Sequence, residues 1–180
     1  MAVITVGIGG GFDYATIQEA VDNAGVLDEV VISGGTYFEN VIVSNPGIII
    51  RNADGESVVV EGGITIAANA FLTNISSDEP GNFVVNGTGQ AALYLVQNND
   101  GSSFTNLTLN ASGNPGSNAV LTGGGQNNVT FTSNTFGGDT GTGGQLVYVN
   151  GEASLGAGLA SANVSFTNNT FAGGSPTGPL

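Results

Sequence analysis

The side chains of this 180-residue chain that could do chemistry are few, and nearly all are acidic. Fourteen Asp and Glu stand against one base, Arg51, with no His and no Cys. Zinc sites, thiol nucleophiles, histidine bases and disulfides are thereby removed. Carboxylate pairs remain. Glycoside hydrolysis needs two carboxyls roughly 5–9.5 Å apart, and Glu39 and Glu61 would meet only if they stacked on adjacent turns of a repeat. Such a pair repels unless a proton or cation is shared, so the simpler expectation puts them on different faces. Arg51, near Asp54 and Glu56, reads as a solvated charge beside acidic neighbours.

Other patterns are weaker. Asn98, Asp100 and Gly101 mimic the third, fifth and sixth positions of a calcium loop, but Val96 and Leu107 occupy its first and twelfth, so a turn is the better reading. Gly137–Gly144 lacks the order of calcium-binding nonapeptides. No cofactor is expected, although so acidic a surface leaves room for weak Ca2+ binding. Gly7–Gly11 follows a strand, yet Phe12 stands at the fingerprint's third glycine and no βαβ pattern follows. Sequons at Asn74, Asn86, Asn106, Asn110, Asn128 and Asn163 follow from an Asn/Thr-rich composition. A net charge of −13 excludes a nucleic-acid partner. No run approaches the ~20 apolar residues of a membrane span, and no signal peptide is visible at the start.

The elements that must position these groups form a repeat. Asn128–Phe136 recurs almost unchanged as Asn163–Phe171. Ala92–Val96, Ala119–Leu121 and Leu146–Val149 begin 27 residues apart. Short β-rich runs, from Val30–Ile32 through Phe71–Ile75 to Phe83–Val85, are closed by turn residues and are too short for a sandwich. Strands that recur while loops vary describe a solenoid. The strands Asn40-Val-Ile, Asn74-Ile-Ser, Asn106-Leu-Thr, Asn128-Val-Thr and Asn163-Val-Ser are read as equivalents. Period two puts Val129, Phe131, Val164 and Phe166 inside and Thr130, Thr132, Ser165 and Thr167 outside. Asn134 and Asn169 are placed at left-handed bends, with Phe136 and Phe171 returning to the core. The outward Thr-x-Thr pattern, carried by two or three coils, is read as a solvated polar face rather than an ice-binding array. One helix is evident over 16–24: Thr16-Ile-Gln-Glu19 fits a capping box, and Ile17, Ala20, Val21 and Ala24 share a stripe.

At Phe12–Ala24, with Asp28–Ile32, Gly35-Thr-Tyr37 and Glu39–Val43, the chain resembles the opening of pectin-lyase-like right-handed β-helix proteins, including pectin methylesterases and alginate epimerases. The resemblance covers about residues 1–60. It implies an all-β, right-handed, single-stranded parallel β-helix whose first coil is capped by the helix. Uronate lyases and epimerases of this kind need an Arg or Lys base and often calcium carboxylates; the esterases need Asp pairs and Arg on central coils. Neither set is matched, since residues 80–180 hold only Asp100, Asp139 and Glu152 as acids.

The expected organisation is one β-helix domain, 1–172, with an N-terminal strand over 2–6 and a Gly/Pro-rich tail over 173–180. The first functional reading is a non-enzymatic structural or adhesive protein, extracellular or on the cell surface, self-associating through its solenoid ends. Ala2, Val3, Ile4, Thr5 and Val6 are the candidate assembly strand, adding to a neighbour's open end or pairing within their own coil. The second reading is a polysaccharide-binding or polysaccharide-processing module, with Tyr37, Tyr94 and Tyr148 as candidate stacking rings, the last two more at home in the core.

Overall fold

The computed structural model describes residues 1–150, 161 and 163–173. Most of the Gly/Ala-rich 155–162 stretch and of the 173–180 tail lies outside them. In chain order the first coils hold β1 (Val3–Val6), α1 (Ile17–Asn23), β2 (Glu29–Ile32), β3 (Gly35–Tyr37) and β4 (Asn40–Val43). The middle coils hold β5 (Ile49–Asn52), β6 (Val58–Ile66), β7 (Asn74–Ser76), β8 (Phe83–Gly87) and β9 (Ala91–Leu95). The last hold β10 (Ser103–Thr105), β11 (Leu107–Ser112), β12 (Asn118–Thr122), β13 (Thr130–Thr132), β14 (Thr135–Asp139), β15 (Val147–Val149), β16 (Ser165–Thr167) and β17 (Thr170–Phe171).

Every pairing between them is parallel and joins one coil to the next, so the chain winds a right-handed β-solenoid of about 6 turns. Three walls result. Wall A stacks β1, β2, β5, β7, β10, β13 and β16. Wall B runs from β3 through the first half of β6 to β8, β11, β14 and β17. Wall C runs from β4 through the second half of β6 to β9, β12 and β15. β6 turns the corner from wall B to wall C without a loop. Gly62 makes this possible, since a Cβ there would lie 2.1 Å from the Glu39 carbonyl oxygen of the coil before.

The alternation of apolar and polar residues sets the core. One inward column of wall A runs Ile4, Val30, Ile50, Ile75, Phe104, Phe131 and Phe166. Phe131 is sandwiched, its ring centroid 5.0 Å from Phe104 and 4.8 Å from Phe166. Val129 and Phe136 are also fully buried, Val164 partly so. Phe166 and Phe171, expected inside, are 36% and 57% exposed, because no further described strand stacks on the coil that carries them.

The repeat needs one change of register. Asn74-Ile-Ser aligns with Ser103-Phe-Thr, Thr130-Phe-Thr and Ser165-Phe-Thr. Asn106-Leu-Thr instead leads from wall A into wall B, and Asn40 opens a wall C strand. The left-handed bends fall at Ser133 and Asn168, one residue before the expected Asn134 and Asn169, and at Asn106 in the coil before them. Asn134 is a buried ladder rung: its Oδ1 accepts from Leu107 N at 2.9 Å and its Nδ2 donates to Phe104 O at 2.9 Å. Asn169 repeats the arrangement one coil on, accepting from Asn134 N at 2.8 Å. A buried backbone group left unpaired is costly, so the amide is required at this corner.

Helix α1 lies beside β4, where wall C would otherwise begin with a bare edge. The Thr16 hydroxyl accepts from Glu19 N, as the capping box predicts. The Gln18 side chain stands in for a strand, accepting from Ile42 N at 2.6 Å and donating to Ile42 O at 3.0 Å. Glu39 accepts from the free N–H groups of Ile17 and Gln18, both at 2.9 Å, and Asn45 donates to Val21 O and Ala24 O.

Candidate corner groove

The corner from wall C to wall A is built the same way in successive coils. Two residues before each wall A strand the backbone turns left-handed, at Leu27, Gly47, Leu72, Gly101, Asn128 and Asn163. The corners stack through backbone bonds: Gly47 N to Phe71 O, Leu72 N to Asp100 O, and Gly101 N to Asn127 O, at 2.8–2.9 Å. Gly and Asn suit this conformation; a leucine pays strain for it. Leu72 adopts φ 57° and is nevertheless 58% exposed. Beside it Phe71 is 45% exposed.

Together these corners enclose a groove of about 630 Å³ lined by Asn69, Phe71, Leu72, Asn98, Asp100, Gly101 and Asn128. Phe71 and Leu72 form an apolar wall from one coil, Asn98 to Gly101 the floor from the next, and Asn128 the far rim. A Cβ on Gly101 would sit 2.7 Å from Leu72 Cδ2, so glycine lets the leucine lie over the floor. Asp100 is held by Asn127, whose backbone N donates to Oδ1 at 3.0 Å. Asn98 Nδ2 donates to Asn69 Oδ1 at 3.3 Å. The amides of Asn69, Asn98 and Asn128 keep further donors and acceptors for a ligand. An apolar face with a few fixed polar groups is the usual make-up of a small-molecule site.

The other candidates are placed elsewhere. Arg51 sits on the outer side of wall A, 2.6 Å from Glu29 and 2.9 Å from Asp54, and these partners hold its guanidinium pKa above the ordinary value. Glu39 is committed to α1, while Glu61 accepts from Asn86 Nδ2 at 2.8 Å. Asn86 Oδ1 in turn accepts from Asn110, so Glu61 heads an outward ladder that runs away from the coil of Glu39. Tyr37 is a core residue whose hydroxyl donates to Ser33 O; burial, then the charges of Glu56 and Glu39, push its phenol up. Tyr94 and Tyr148, expected in the core, point outward from wall C, where Tyr148 is 39% exposed. Asn98 and Gly101 both have positive φ, so their loop is a turn; Asp139 is engaged with Gly141 N at 2.8 Å. Among the described residues, no three carboxylates converge on one point.

Within this single chain Ala2–Val6 lies against the next wall A strand, β2. Val3 to Val6 align with Glu29 to Ile32. Ala2 N donates to Asp28, and Asp13 Oδ2 accepts from Thr5 N and Oγ1 at 2.8 Å, which occupies part of the strand's outer edge. Phe71 and Leu72 were missed as site residues because Phe71–Ile75 reads as a strand. The strand is only Asn74–Ser76, and the apolar pair belongs to the corner. An Asn two residues upstream of Phe71 was the available signal.

No family model matches the chain, and no curated protein does. Two solved structures resemble it. A pectin methylesterase in complex with a hexasaccharide aligns over 97% of this chain with a TM-score of 0.55 and 11% identity. The pectin methylesterase from Aspergillus niger in deglycosylated form aligns over 96% with a TM-score of 0.47 and 16% identity. The chain spans 66% of the first and 57% of the second. The expectation of a non-enzymatic protein is thereby corrected: the structure that this fold matches almost end to end is that of an enzyme. Missing His and Lys do not argue otherwise, because a carboxylate can also carry a proton. Among the described residues no helix is long and apolar enough to cross a membrane. The chain has a right-handed parallel β-helix fold, the fold of the pectin methylesterase with which it aligns.

Proposed function

We propose that this chain is a polysaccharide-processing β-helix that grips a glycan in the corner groove, outside the cell where such polymers lie. The observation that carries this reading is the groove's composition: an exposed Phe71–Leu72 wall opposite the amides of Asn98 and Asn128, with Asp100 between them. A pyranose ring presents an apolar C–H face and a rim of hydroxyls. Phe71 and Leu72 suit the face, and the amides and Asp100 suit the rim. The hexasaccharide bound by the pectin methylesterase supports the same class of ligand. Asp100 is the one ionisable side chain in the lining, so proton transfer is assigned to it.

The test is a glycan-binding and turnover screen of the chain beside Phe71→Ala and Asp100→Asn. Phe71→Ala should abolish glycan retention with an unchanged circular dichroism spectrum. Asp100→Asn should retain the glycan and lose turnover. Retention by Phe71→Ala equal to the parent's would refute the groove as the site.

A further inference from the structure

The outward side of wall A carries an ordered array that the groove does not use. Ser76, Thr105, Thr132 and Thr167 occupy one column, aligned rung to rung. Asn74, Ser103, Thr130 and Ser165 occupy the other. Ser103-x-Thr105, Thr130-x-Thr132 and Ser165-x-Thr167 thus stack over three consecutive coils, within the two or three that the sequence suggests, and Asn74-x-Ser76 adds a polar rung beside them. Unequal loops hide the alignment.

Three further features distinguish this face. First, none of the seven array hydroxyls has a hydrogen-bond partner among the described residues, whereas Thr5, Thr16, Ser33, Thr73, Ser77 and Ser102 do. Asn74 Oδ1 is also enclosed without one. Second, the array positions are uncharged; the Glu29–Arg51 pair bounds them on the N-terminal side. Third, the strands beneath are stiffened by the Phe104, Phe131 and Phe166 stack, with interplanar angles of 22° and 5°. The array is thus a grid of hydroxyls that bond to no described residue and face solvent. Its rows are about 4.8 Å apart and its columns about 6.6 Å apart, from strand spacing and two-residue rise.

We propose that this face, from Asn74 to Thr167, is an ice-binding surface. The row spacing lies near the shorter lattice repeat of hexagonal ice. Hydroxyls can take the place of lattice water as donor and acceptor at once. Threonine methyls shield the bonded water from bulk exchange. The lack of charge matters because an ion orients its own hydration shell against the lattice. A glycan fits less well, since no exposed ring on this face offers a stacking surface, in contrast to Phe71 in the groove.

The test is partition of the full chain into slowly growing ice, together with inhibition of ice recrystallisation. The parent should enter the ice and keep crystals small. The double variant Thr105→Lys/Thr132→Lys should be excluded and lose inhibition, with melting temperature and circular dichroism unchanged; a single Thr132→Lys variant covers the case where the double variant does not fold. Phe71→Ala should behave as the parent, which separates this face from the groove. Exclusion of the parent from ice, or retention of activity in the folded lysine variants, would overturn the proposal. So would binding to microcrystalline cellulose, lost in the same variants, with no effect on ice.

Discussion

Two halves of one column are filled differently. The inward residues of wall A are Ile4, Val30, Ile50 and Ile75 in the first four rungs and Phe104, Phe131 and Phe166 in the last three. The polar bonds between coils change with them. In the N-terminal half, carboxylates of one corner accept backbone N–H groups of the neighbouring coil: Asp28 from Ala2, Glu56 from Gly34, Asp78 from Gly55. In the C-terminal half Asp100 keeps one such bond, from Asn127 N, and amides carry the wall A to wall B corner, with Asn134 and Asn169 tying coil to coil. Stacking coils requires only that backbone groups be satisfied and columns filled. Either chemistry serves, but charge makes the first half sensitive to pH, and ring geometry makes the second sensitive to volume.

The largest blow to this contrast should be Phe131→Ala. It removes the middle ring of a stack and opens a cavity that Phe104 and Phe166 cannot close, costing about 3–5 kcal/mol by urea unfolding. Ile50→Val, on the aliphatic side of the same column, should cost only ~0.5–1.5 kcal/mol. Equal losses would mean that the two halves do not differ in how they pack. Asn134→Ala should rank next, at about 1–3 kcal/mol in the same measurement, by leaving Leu107 N–H unpaired inside the corner.

Glu39→Ala should cost ~0.5–2 kcal/mol, the range for losing a helix N-cap. The loss should be local: amide exchange should rise in α1 and at Ile42 while β11 and β14 keep their protection. Uniform exchange across the chain would show that the helix and the coils unfold as one unit.

Acid is the mildest probe and has no effect at neutral pH. Backbone N–H groups foremost hold Asp13, Asp28 and Glu56 below the usual carboxylate range, and the Asn52 side-chain amide, then Gly55 N–H, holds Asp78 there. A depressed folded pKa contributes stability above the unfolded value, and that contribution is lost as pH falls through the folded one. Amide NMR spectra taken between about pH 5 and pH 2 should therefore shift first at Ala2 and Gly34, before residues near Asn134 respond, with Gly55 holding to still lower pH because its partner Asp78 is depressed furthest. Simultaneous change in both halves would contradict the division.

Much of the fold is legible in the residues because its signals are local. The Thr16–Glu19 cap and the Ile17, Ala20, Val21 stripe specify α1, and the 27-residue spacing of β9, β12 and β15 is their register. Alternation also put Val129, Phe131 and Phe136 inside correctly. It could not place Phe166, Phe171 or Tyr148, since exposure depends on whether another coil covers the residue. Nor could it tell which Asn bends the chain and which satisfies its neighbour, because Asn serves both purposes and the two positions are adjacent at Ser133 and Asn134.

The groove and the hydroxyl grid were decided by the tertiary structure alone. Phe71, Asp100 and Asn128 are far apart in the chain and meet because corners of different length begin at the same height on wall A. A local pattern encodes which side of a strand faces inward, up to the choice of frame. What lies beside it in space is fixed only when one coil stacks on the next and the intervening loops are folded away.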